Sequence, residues 1–446
     1  MISQKLADYI CNLKYTDLPD EVIEITRLSF LDWLGSALAG AGKEAGQMVY
    51  AVAEDIGGNP QATLIPSLRK SSCLNAALVN GAVSHIVELD DVHKASILHA
   101  AAAIIPAALA AAEKIGASGE ELITAIVAGY EVGIRIGEAV TPSHYYYWHN
   151  TGTCGTFGAA AAAGKILGLN RDQMVHALGN AGTQAAGLWE FLADGAMSKH
   201  LHPGKAAMNG LLAALLAARG FTGASKILEG EKGFCKATAR EYDLNKITDG
   251  LGQSYKILEN SFKIHASCRH THPGLDLVIA LAKQFDLTPG QVEKIVVKTY
   301  GIALDITGNY QPNSLYAAKF SLPFCVALGL KKRKAGLAEF NEAALEDKEI
   351  RELMSRVELV QDPEIEALYP EQWPAIVEIY CSDNRVYTER TNFPKGDPEN
   401  PVTAEELSVK FRELAGIRLK PEEAERLLQK ALKMENIQNI ALFFTN

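Results

Sequence analysis

The chain has 446 residues, of which 48% are hydrophobic and 22% charged, and this balance excludes an intrinsically disordered protein. A single hydrophobic core seldom organises so many residues, so the length predicts two domains. The formal net charge of −10 makes general binding to nucleic acid or to a membrane surface unfavourable, so any local group of cations becomes informative.

The sequence shows no segment that predicts targeting or membrane insertion. The N-terminal stretch MISQKLADYICNLKY lacks the cationic start and apolar centre of a signal peptide. The longest apolar run, from Ala100 to Ala112, is too short to span a bilayer and contains Pro106. We therefore expect a soluble, cytoplasmic protein. The cysteines form no C-x-x-C pair, so the usual spacing of a zinc ribbon or an iron–sulfur site is missing.

Helical patterns dominate roughly the first 240 residues. Pro19 stands near the first turn of a predicted helix whose apolar residues recur at helical spacing. Ser118 and Glu121 form a capping-box pattern before another apolar run. Small side chains in alanine-rich stretches favour helices whose axes approach closely. Three such stretches are Ala100–Lys114, Phe157–Leu167 and Lys205–Arg219. These patterns predict a tightly packed helical domain.

The pattern changes after about Leu258, where strand-like segments begin. Val292–Tyr300 and Ala375–Cys381 alternate in polarity or are rich in β-branched residues, which is typical of strands. Ser382–Arg385 predicts a hairpin turn into a further strand over Val386–Asn392. This part of the chain therefore predicts a smaller α/β domain.

Helical patterns return near the C-terminus, with a cap at Thr403 and a helix over Pro421–Met434. These helices can rejoin the first domain, which makes the smaller domain an insertion. The predicted fold class is mainly α with an inserted α+β domain. We expect a large all-helical bundle domain over residues 1–258 and 403–446, and the smaller α/β domain over residues 259–402.

All eleven histidines lie between His85 and His272, and nine of them fall into four groups, three of which also contain lysine or acidic residues. Because the protein is acidic overall, such groups indicate places where charge is concentrated for a purpose. The four groups are His85 to His99, Trp148-His149, Ser198 to Lys205 and Lys263 to His272.

The acidic run in the first group has three interpretations. It can be a solvated turn or a helix cap, or it can serve a nearby histidine. Asp90 and Asp91 can also bind a metal together with His93 and His99. No recognised zinc pattern such as H-E-x-x-H occurs, so we predict no metal in the site.

The third group predicts an anion site at a helix start. His202, Pro203 and Gly204 lead into the helix-forming segment KAAMNGLLAALLAARG, and backbone N–H groups at a helix N-terminus attract anions. Lys199 and Lys205 add positive charge there, so a substrate carboxylate fits. The alternative is an ordinary capped helix on the surface.

The motifs of these groups resemble the MmgE/PrpD family in order and spacing, over nearly the whole chain. They are HIVELDDVHKASILH, WHNTGTCGTFGAAAAAGKILGL, MSKHLHPGKAAMNGLLAALLAARGFTG and FKIHASCRHTHPGLD. The family includes 2-methylcitrate dehydratase, cis-aconitate decarboxylase and iminodisuccinate epimerase. The resemblance implies a helical domain completed by the C-terminal helices, a smaller lid domain, a homodimer and no organic cofactor.

The resemblance also implies roles for single residues. His99 matches the family's essential histidine, and Asp90 belongs to its acidic pair. His149, Lys199 and Lys263 match residues that line the substrate cleft. We expect these five residues to be catalytic, with His99 as the leading acid or base because a histidine exchanges protons near neutral pH.

Further residues are expected to bind the substrate. They are Glu88, Asp91, His202, Cys268, Arg269 and Tyr310. The sequence departs from the decarboxylase pattern at Glu88, where that enzyme has a shorter carboxylate, at Val92, where it has a hydroxyl residue, and at Cys268, where it has a histidine. These departures concern decarboxylation and do not bear on the dehydratase or epimerase reactions in the same way.

The function expected from this resemblance is a lyase that acts on a small tricarboxylate by acid–base chemistry without a cofactor, similar to 2-methylcitrate dehydratase or cis-aconitate decarboxylase. The family's reactions all form or quench a carbanion next to a carboxylate, which lysines and a helix N-terminus stabilise. One alternative is an isomerase that epimerises iminodisuccinate by proton exchange at the α-carbon. Another is a non-catalytic helical scaffold or binding protein. A small carboxylate and a second copy of the chain are the expected partners, with no nucleic acid and no membrane.

Overall fold

The computed structural model describes residues 1–445, which are mainly α-helical with a minor β part, as predicted. Contacts between Cα atoms divide the chain into two compact units. The helical unit comprises residues 1–261 and 403–446, and the α/β unit comprises residues 262–402. In residues 1–445, no helix is long and apolar enough to cross a membrane. The role of the α/β unit as a lid stays a prediction.

The described part of the helical unit, which ends at residue 445, contains twelve α-helices, most of them buried along at least one face. They are α1 Ile2–Asn12, α2 Asp20–Gly40, α3 Glu44–Ile56, α4 Cys73–His85, α5 Ala100–Ile115, α6 Gly119–Val140, α7 Asn150–Ile166, α8 Arg171–Gly182, α9 Ser198–Ala218, α10 Phe234–Thr238, α18 Ala404–Ala415 and α19 Pro421–Leu432.

Local sequence signals start several of these helices as predicted. Pro19 is the N-cap residue of α2, where its missing N–H costs nothing. Ser118 accepts a hydrogen bond from the backbone N–H of Glu121, and the Glu121 side chain accepts from the Ser118 backbone N–H. This reciprocal capping box begins α6. The three alanine-rich stretches all lie in helices, namely α5, α7 and α9.

Helix α9 corrects one expectation, because it begins at Ser198 and not after the entry formed by His202, Pro203 and Gly204. Pro203 is its sixth residue and lies inside the helix, where it removes a backbone N–H from the helical ladder. Gly204 packs so closely on α4 that a Cβ atom there would lie 2.2 Å from the Leu78 carbonyl oxygen. The close helix crossing therefore explains Gly204, and the predicted helix start after Gly204 is wrong.

The helical unit is also not purely helical, which corrects the all-helical expectation. β1 Ala62–Leu64 pairs antiparallel with β2 Arg69–Ser71, and β3 Val92–His93 pairs antiparallel with β4 Asn260–Ser261. These strands have two or three residues each, too few for a period of two to be recognised in the sequence. The second pair joins the acidic loop to a segment far along the chain.

The α/β unit contains a four-stranded mixed sheet with strand order β6-β5-β7-β8. Its strands are β5 Val292–Thr299, β6 Val357–Gln361, β7 Ala375–Cys381 and β8 Val386–Thr391. Its helices are α11 His272–Gln284, α12 Gly301–Thr307, α13 Leu315–Lys319, α14 Leu322–Lys332, α15 Glu342–Leu345, α16 Lys348–Ser355 and α17 Pro363–Glu366.

The three predicted strands are present as β5, β7 and β8, and β7 and β8 form the predicted hairpin. The fourth strand, β6, pairs parallel with β5 and lies outside the predicted set. A parallel partner comes from a remote part of the chain, so no turn signal announces it. The α+β character of this segment is therefore observed, with one strand more than predicted.

Candidate functional site

Helix ends supply the side chains of a histidine cluster in the helical unit. His85 is the last residue of α4, while His99 and His149 are the N-cap residues of α5 and α7. Lys199 lies in the first turn of α9, and His202 follows one turn later. The N-terminal ends of α5, α7 and α9, which carry the positive ends of the helix dipoles, therefore lie at these residues. Such helix ends favour neutral imidazoles and bound anions.

The four imidazole rings pack against one another. The centroid of the His85 ring lies 4.7 Å from that of His99 and 5.6 Å from that of His149. The His99 and His149 centroids are 6.5 Å apart, and His202 lies 5.3 Å from His149. We call these four residues the histidine cluster. The structure thus brings together three of the predicted site histidines and adds His85.

Asp90 lies between two of these rings. Its Oδ2 is 2.7 Å from His85 Nδ1 and 3.3 Å from His99 Nδ1, and its side chain is fully buried. Burial alone raises the pKa of a carboxyl, but the neighbouring His85 and His99 outweigh that effect and hold the pKa of Asp90 well below its usual range. Asp90 is therefore an ionised carboxylate inside the protein.

Hydrogen bonds determine which nitrogen of His99 can exchange a proton. Nδ1 lies 2.7 Å from the Asp91 backbone oxygen, which can only accept, so Nδ1 carries a hydrogen. The His99 backbone N–H donates to Thr151 Oγ1 at 3.2 Å and fixes the residue at the start of α5. The remaining nitrogen, Nε2, is left for proton exchange, and the side chain is 15% exposed.

Asp91 holds the loop that carries His99. One carboxylate oxygen accepts from Tyr130 Oη at 2.6 Å and from Asn260 Nδ2 at 2.7 Å, and the other accepts from the Ala101 backbone N–H at 3.0 Å. The last bond caps the first turn of α5. Burial raises the pKa of Asp91 to about 7 despite these donors. Both oxygens of this predicted substrate-binding residue are thus bound by the protein itself.

Glu88 and Lys199 form a buried ion pair. Glu88 has a backbone φ of 60°, in the left-handed region that non-glycine residues seldom adopt. Such strain persists where the surroundings impose it, as in functional loops. The pair places one ammonium next to the histidine cluster, and the Lys199 charge contributes to lowering the pKa of both His85 and His149.

His149 and His202 share a contact between their Nδ1 atoms, which lie 3.1 Å apart. Such a contact requires one ring to donate and the other to accept. Burial lowers the pKa of His149 well below its usual range and that of His202 to about 4, so both rings are neutral at physiological pH. The Trp189 ring lies 4.9 Å from His149, and Phe191 lies 5.6 Å from His202.

Two groups of described residues have the donor atoms to hold a metal ion. They are His85, Asp90 and His99, and separately His93, Glu138 and Glu259. The alternative metal site considered from the sequence, with Asp90, Asp91, His93 and His99 as ligands, is therefore not assembled. Asp90 and His99 lie in the first group, His93 lies in the second, and Asp91 lies in neither. In the second group, Lys256 Nζ lies 3.0 Å from both glutamates and already supplies the balancing cation.

Four predicted site residues belong to the α/β unit. Lys263 is buried, and Arg269 forms a buried ion pair with Asp397. Tyr310 Oη donates to the Val357 backbone oxygen at 3.1 Å. The Cys268 backbone N–H donates to the Lys319 oxygen at 2.8 Å. Their expected substrate contacts stay predictions.

Sequence reasoning missed several residues around the site. His85 and Thr151 lie within the motifs that were recognised, so their place in those motifs was an available signal. Tyr130 and Asn260 gave no local signal, because they reach Asp91 from α6 and β4. A separate cavity of about 570 Å³ is lined by Tyr147, Trp148, Arg240 and others, but by none of the predicted site residues.

Sequence comparison agrees with the motifs that form this cluster. The MmgE/PrpD N-terminal domain matches residues 4–246, and the MmgE/PrpD C-terminal domain matches residues 265–436. The chain belongs to the MmgE/PrpD family. The first match contains the whole histidine cluster and the Glu88–Lys199 pair. The second contains Cys268, Arg269 and Tyr310, whereas Lys263 lies just before it.

Several relatives carry names that refer to one reaction. The cis-aconitate decarboxylase of Aspergillus terreus is 28% identical over 439 residues, covering 93% of this chain and 89% of that protein. The human cis-aconitate decarboxylase is 26% identical over 476 residues, covering 100% and 94%. The cis-aconitate decarboxylase-like protein oryM of Aspergillus oryzae is 26% identical over 465 residues, covering 99% and 96%. The family and these relatives support an enzyme with a lyase-like role.

Proposed function

We propose that this protein is a lyase that acts on a small tricarboxylate by acid–base chemistry. The observation that carries the proposal is the state of His99. Its Nδ1–H donates to the Asp91 carbonyl oxygen, and the Asp90 carboxylate lies 3.3 Å from the same nitrogen, so Nε2 remains to take or give a proton. A positioned imidazole with a buried counter-charge is a general acid–base group that works near neutral pH.

The proposed chemistry follows two balanced routes. In a dehydration, His99 Nε2 takes the proton from a carbon next to a carboxylate, and the C–H electron pair forms the double bond. The hydroxyl group leaves with the C–O electron pair and takes up the proton that His99 removed, so that it departs as water. In a decarboxylation, the pair of the breaking C–C bond stays on the carbon as carbon dioxide leaves. His99 then donates a proton to that carbon.

Both routes develop negative charge on a carboxylate-stabilised carbon, and cations lower the energy of that charge. Lys199 and the positive ends of α5, α7 and α9 supply this stabilisation in the helical unit. On the family pattern we also assign carboxylate contacts to Lys263 and Arg269, and a further substrate contact to Tyr310. Asp91 acts by holding His99, because its oxygens bind Tyr130, Asn260 and Ala101.

A second candidate function is epimerisation of iminodisuccinate. The His99 and His149 rings lie 6.5 Å apart, and two bases at that spacing can serve opposite faces of one carbon. Neutral His149 takes the proton from one face while protonated His99 gives a proton to the opposite face, so only the configuration changes. We further propose that the enzyme is a cytoplasmic homodimer that needs neither an organic cofactor nor a metal ion.

One experiment separates these functions. The purified chain is incubated with cis-aconitate, 2-methylcitrate, citrate and iminodisuccinate, and the products are followed by proton NMR and polarimetry. A lyase creates a new double bond or carbon dioxide, whereas an epimerase changes only the optical rotation. Turnover of none of these acids, by a chain that circular dichroism shows to be folded, contradicts both candidate functions.

A further inference from the structure

His85 is a buried histidine to which neither the motifs nor the family resemblance assigns a role. It ends α4 with no exposed surface, and its Nδ1 lies 2.7 Å from Asp90 Oδ2. Its Nε2 is buried without a hydrogen-bond partner among residues 1–445. Buried polar atoms are normally paired, so an unpaired nitrogen beside a predicted catalytic histidine needs an explanation.

The protonation of this region follows from its hydrogen bonds. Asp90 is ionised and accepts, so His85 Nδ1 carries the hydrogen and Nε2 carries the lone pair. Burial lowers the pKa of His85 and outweighs the opposing effect of Asp90, so the neutral ring is favoured. The same Asp90 oxygen faces His99 Nδ1 at 3.3 Å. One carboxylate oxygen thus accepts from His85 Nδ1 and also lies close to His99 Nδ1, whose hydrogen is donated to the Asp91 carbonyl.

This shared oxygen has an electrostatic consequence for His99. When Nε2 of His99 takes a proton, the nearest counter-charge is Asp90. The N–H of His85 forms the shorter bond to that oxygen and withdraws part of its charge from His99. Without the His85 donor, Asp90 would stabilise the His99 imidazolium more strongly.

Other titratable groups also surround His85. They are Asp90 and His99 from the loop and the start of α5, His149 at the start of α7, and Lys199, His200 and His202 from α9, with Glu88 paired to Lys199. Burial holds the pKa of His200 and of His202 at about 4, so these rings stay neutral where His99 works.

We propose that His85 is a positioning residue that orients Asp90 and limits its stabilisation of protonated His99. It thereby sets the pH at which His99 can act as a base. The inference rests on the proposed function for its catalytic meaning. The proton equilibrium of His99 can nevertheless be measured without any substrate.

The test uses two amide substitutions that differ in where they place the N–H group. In His85→Asn, the amide nitrogen takes about the place of Nδ1 and can still donate to Asp90. In His85→Gln, it takes about the place of Nε2, so the donor to Asp90 is lost. The His99 titration midpoint is read by imidazole NMR on the full chain, with the signal assigned from its loss in His99→Gln.

We expect the His99 midpoint to rise by about one pH unit in His85→Gln and to stay at the wild-type value in His85→Asn. Asp90→Asn, which keeps the volume but removes the charge, must lower the midpoint. Equal midpoints in both His85 variants overturn the proposal. An unchanged midpoint in Asp90→Asn overturns it too, and that arm decides even if the His85→Gln chain does not fold.

The acidic limb of the kcat/KM profile supplies a second readout, measured with whichever acid the substrate panel identifies. It should move to higher pH in His85→Gln, because more His99 is then protonated. A uniform loss of rate with an unmoved limb would show that His85 only supports the fold. Failure of the panel would contradict the proposed function and leave the NMR result valid.

Discussion

At the scale of single residues, His99 illustrates how one side chain is prepared for proton transfer. The Asp91 carbonyl fixes its tautomer, Thr151 fixes its backbone, and Asp90 provides a counter-charge. In the proposed mechanism, Nε2 is therefore the nitrogen that exchanges the proton.

His99→Ala should therefore lower kcat by roughly 10²-fold or more, because a general acid or base typically contributes about 10²–10⁴. The acidic limb of the pH profile should disappear with it. His176→Gln is a suitable control, since His176 lies in α8 and contacts the Gly223 backbone oxygen outside the cluster. Kinetics between pH 5 and 9 are the measurement. Loss of turnover in His149→Ala but not in His99→Ala would exchange the two roles.

Lys199 is predicted to have two functions, because it stabilises both the substrate and the buried Glu88 carboxylate. Lys199→Met should reduce turnover and also lower the free energy of unfolding by about 3 kcal/mol. The substitution removes one partner of a buried ion pair and leaves the charge of the other partner buried without compensation, which is unfavourable. The double variant Lys199→Met with Glu88→Gln should recover stability but not turnover. Urea unfolding and kinetics of both variants are compared with the wild type. A stable single variant would contradict the structural part of this assignment.

At the scale of elements, the crossing of α4 and α9 positions His85 opposite Lys199 and His202. A Cβ atom at Gly81 would lie 2.8 Å from the Gly204 Cα, so the two helices approach almost backbone to backbone. Side chains larger than hydrogen cannot fit there without separating the helices. The two glycines therefore determine how closely the first and third histidine groups can meet.

Gly204→Ala tests this crossing directly. The added methyl group would lie 2.2 Å from the Leu78 oxygen and 2.9 Å from the Ala82 nitrogen. We expect a loss of about 3 kcal/mol in the free energy of unfolding, at the upper end of what overpacking costs. Gly290→Ala, where a Cβ atom meets nothing within 4 Å, should leave stability nearly unchanged. Denaturant unfolding measures both, and equal effects would refute the packing explanation.

Glu113 links the end of α5 to β1 and should make stability depend on pH. Its Oε2 accepts from both the N–H and the hydroxyl of Thr63 at 2.8 Å, and burial raises its pKa from 4.5 to about 7. Because folding raises this pKa, the folded state is more stable when the Glu113 carboxyl is protonated. Its contribution to stability is therefore present below about pH 4.5 and is lost as pH rises to about 7. The loss is roughly 3 kcal/mol.

Glu113→Gln should remove most of this dependence, because an amide keeps an acceptor oxygen for Thr63 and cannot ionise. The stability of the variant relative to the wild type should rise between pH 5 and pH 8. The exposed Glu24→Gln change serves as the control and should show no such trend. Urea unfolding at several pH values measures the difference. Parallel curves for Glu113→Gln and wild type would contradict the buried-carboxyl explanation.

At the scale of the whole molecule, we expect activity to survive exhaustive chelation. The Nδ1 atoms of His85 and His99 already donate to Asp90 and to the Asp91 carbonyl, so a metal at Asp90 would have to displace hydrogen bonds that hold the loop. Turnover is measured after dialysis against EDTA and again after adding single divalent metals. Loss of activity that one metal restores would identify the Asp90 group as a metal site.

Much of this protein followed from local signals in the sequence. Pro19 and the Ser118–Glu121 box begin helices through their own backbone geometry, and the hairpin of β7 and β8 is bounded by its own turn residues. The motifs around His99, His149 and Lys199 also indicated the family, because their order and spacing are properties of the chain alone. The family match over both domains agrees with that interpretation.

Only the tertiary structure decided how those motifs meet. It joined Asp91 to Asn260, which is 169 residues away, and added β6 as a parallel partner of β5. It also carried α9 through Pro203 and placed His85 on the Asp90 oxygen that faces His99. The Asp91–Asn260 contact, the β5–β6 pairing and the packing of α9 on α4 join segments remote in sequence, so no short stretch of residues predicts them. His85 and Asp90 are only five residues apart, but the path of the loop between them is what brings their side chains together.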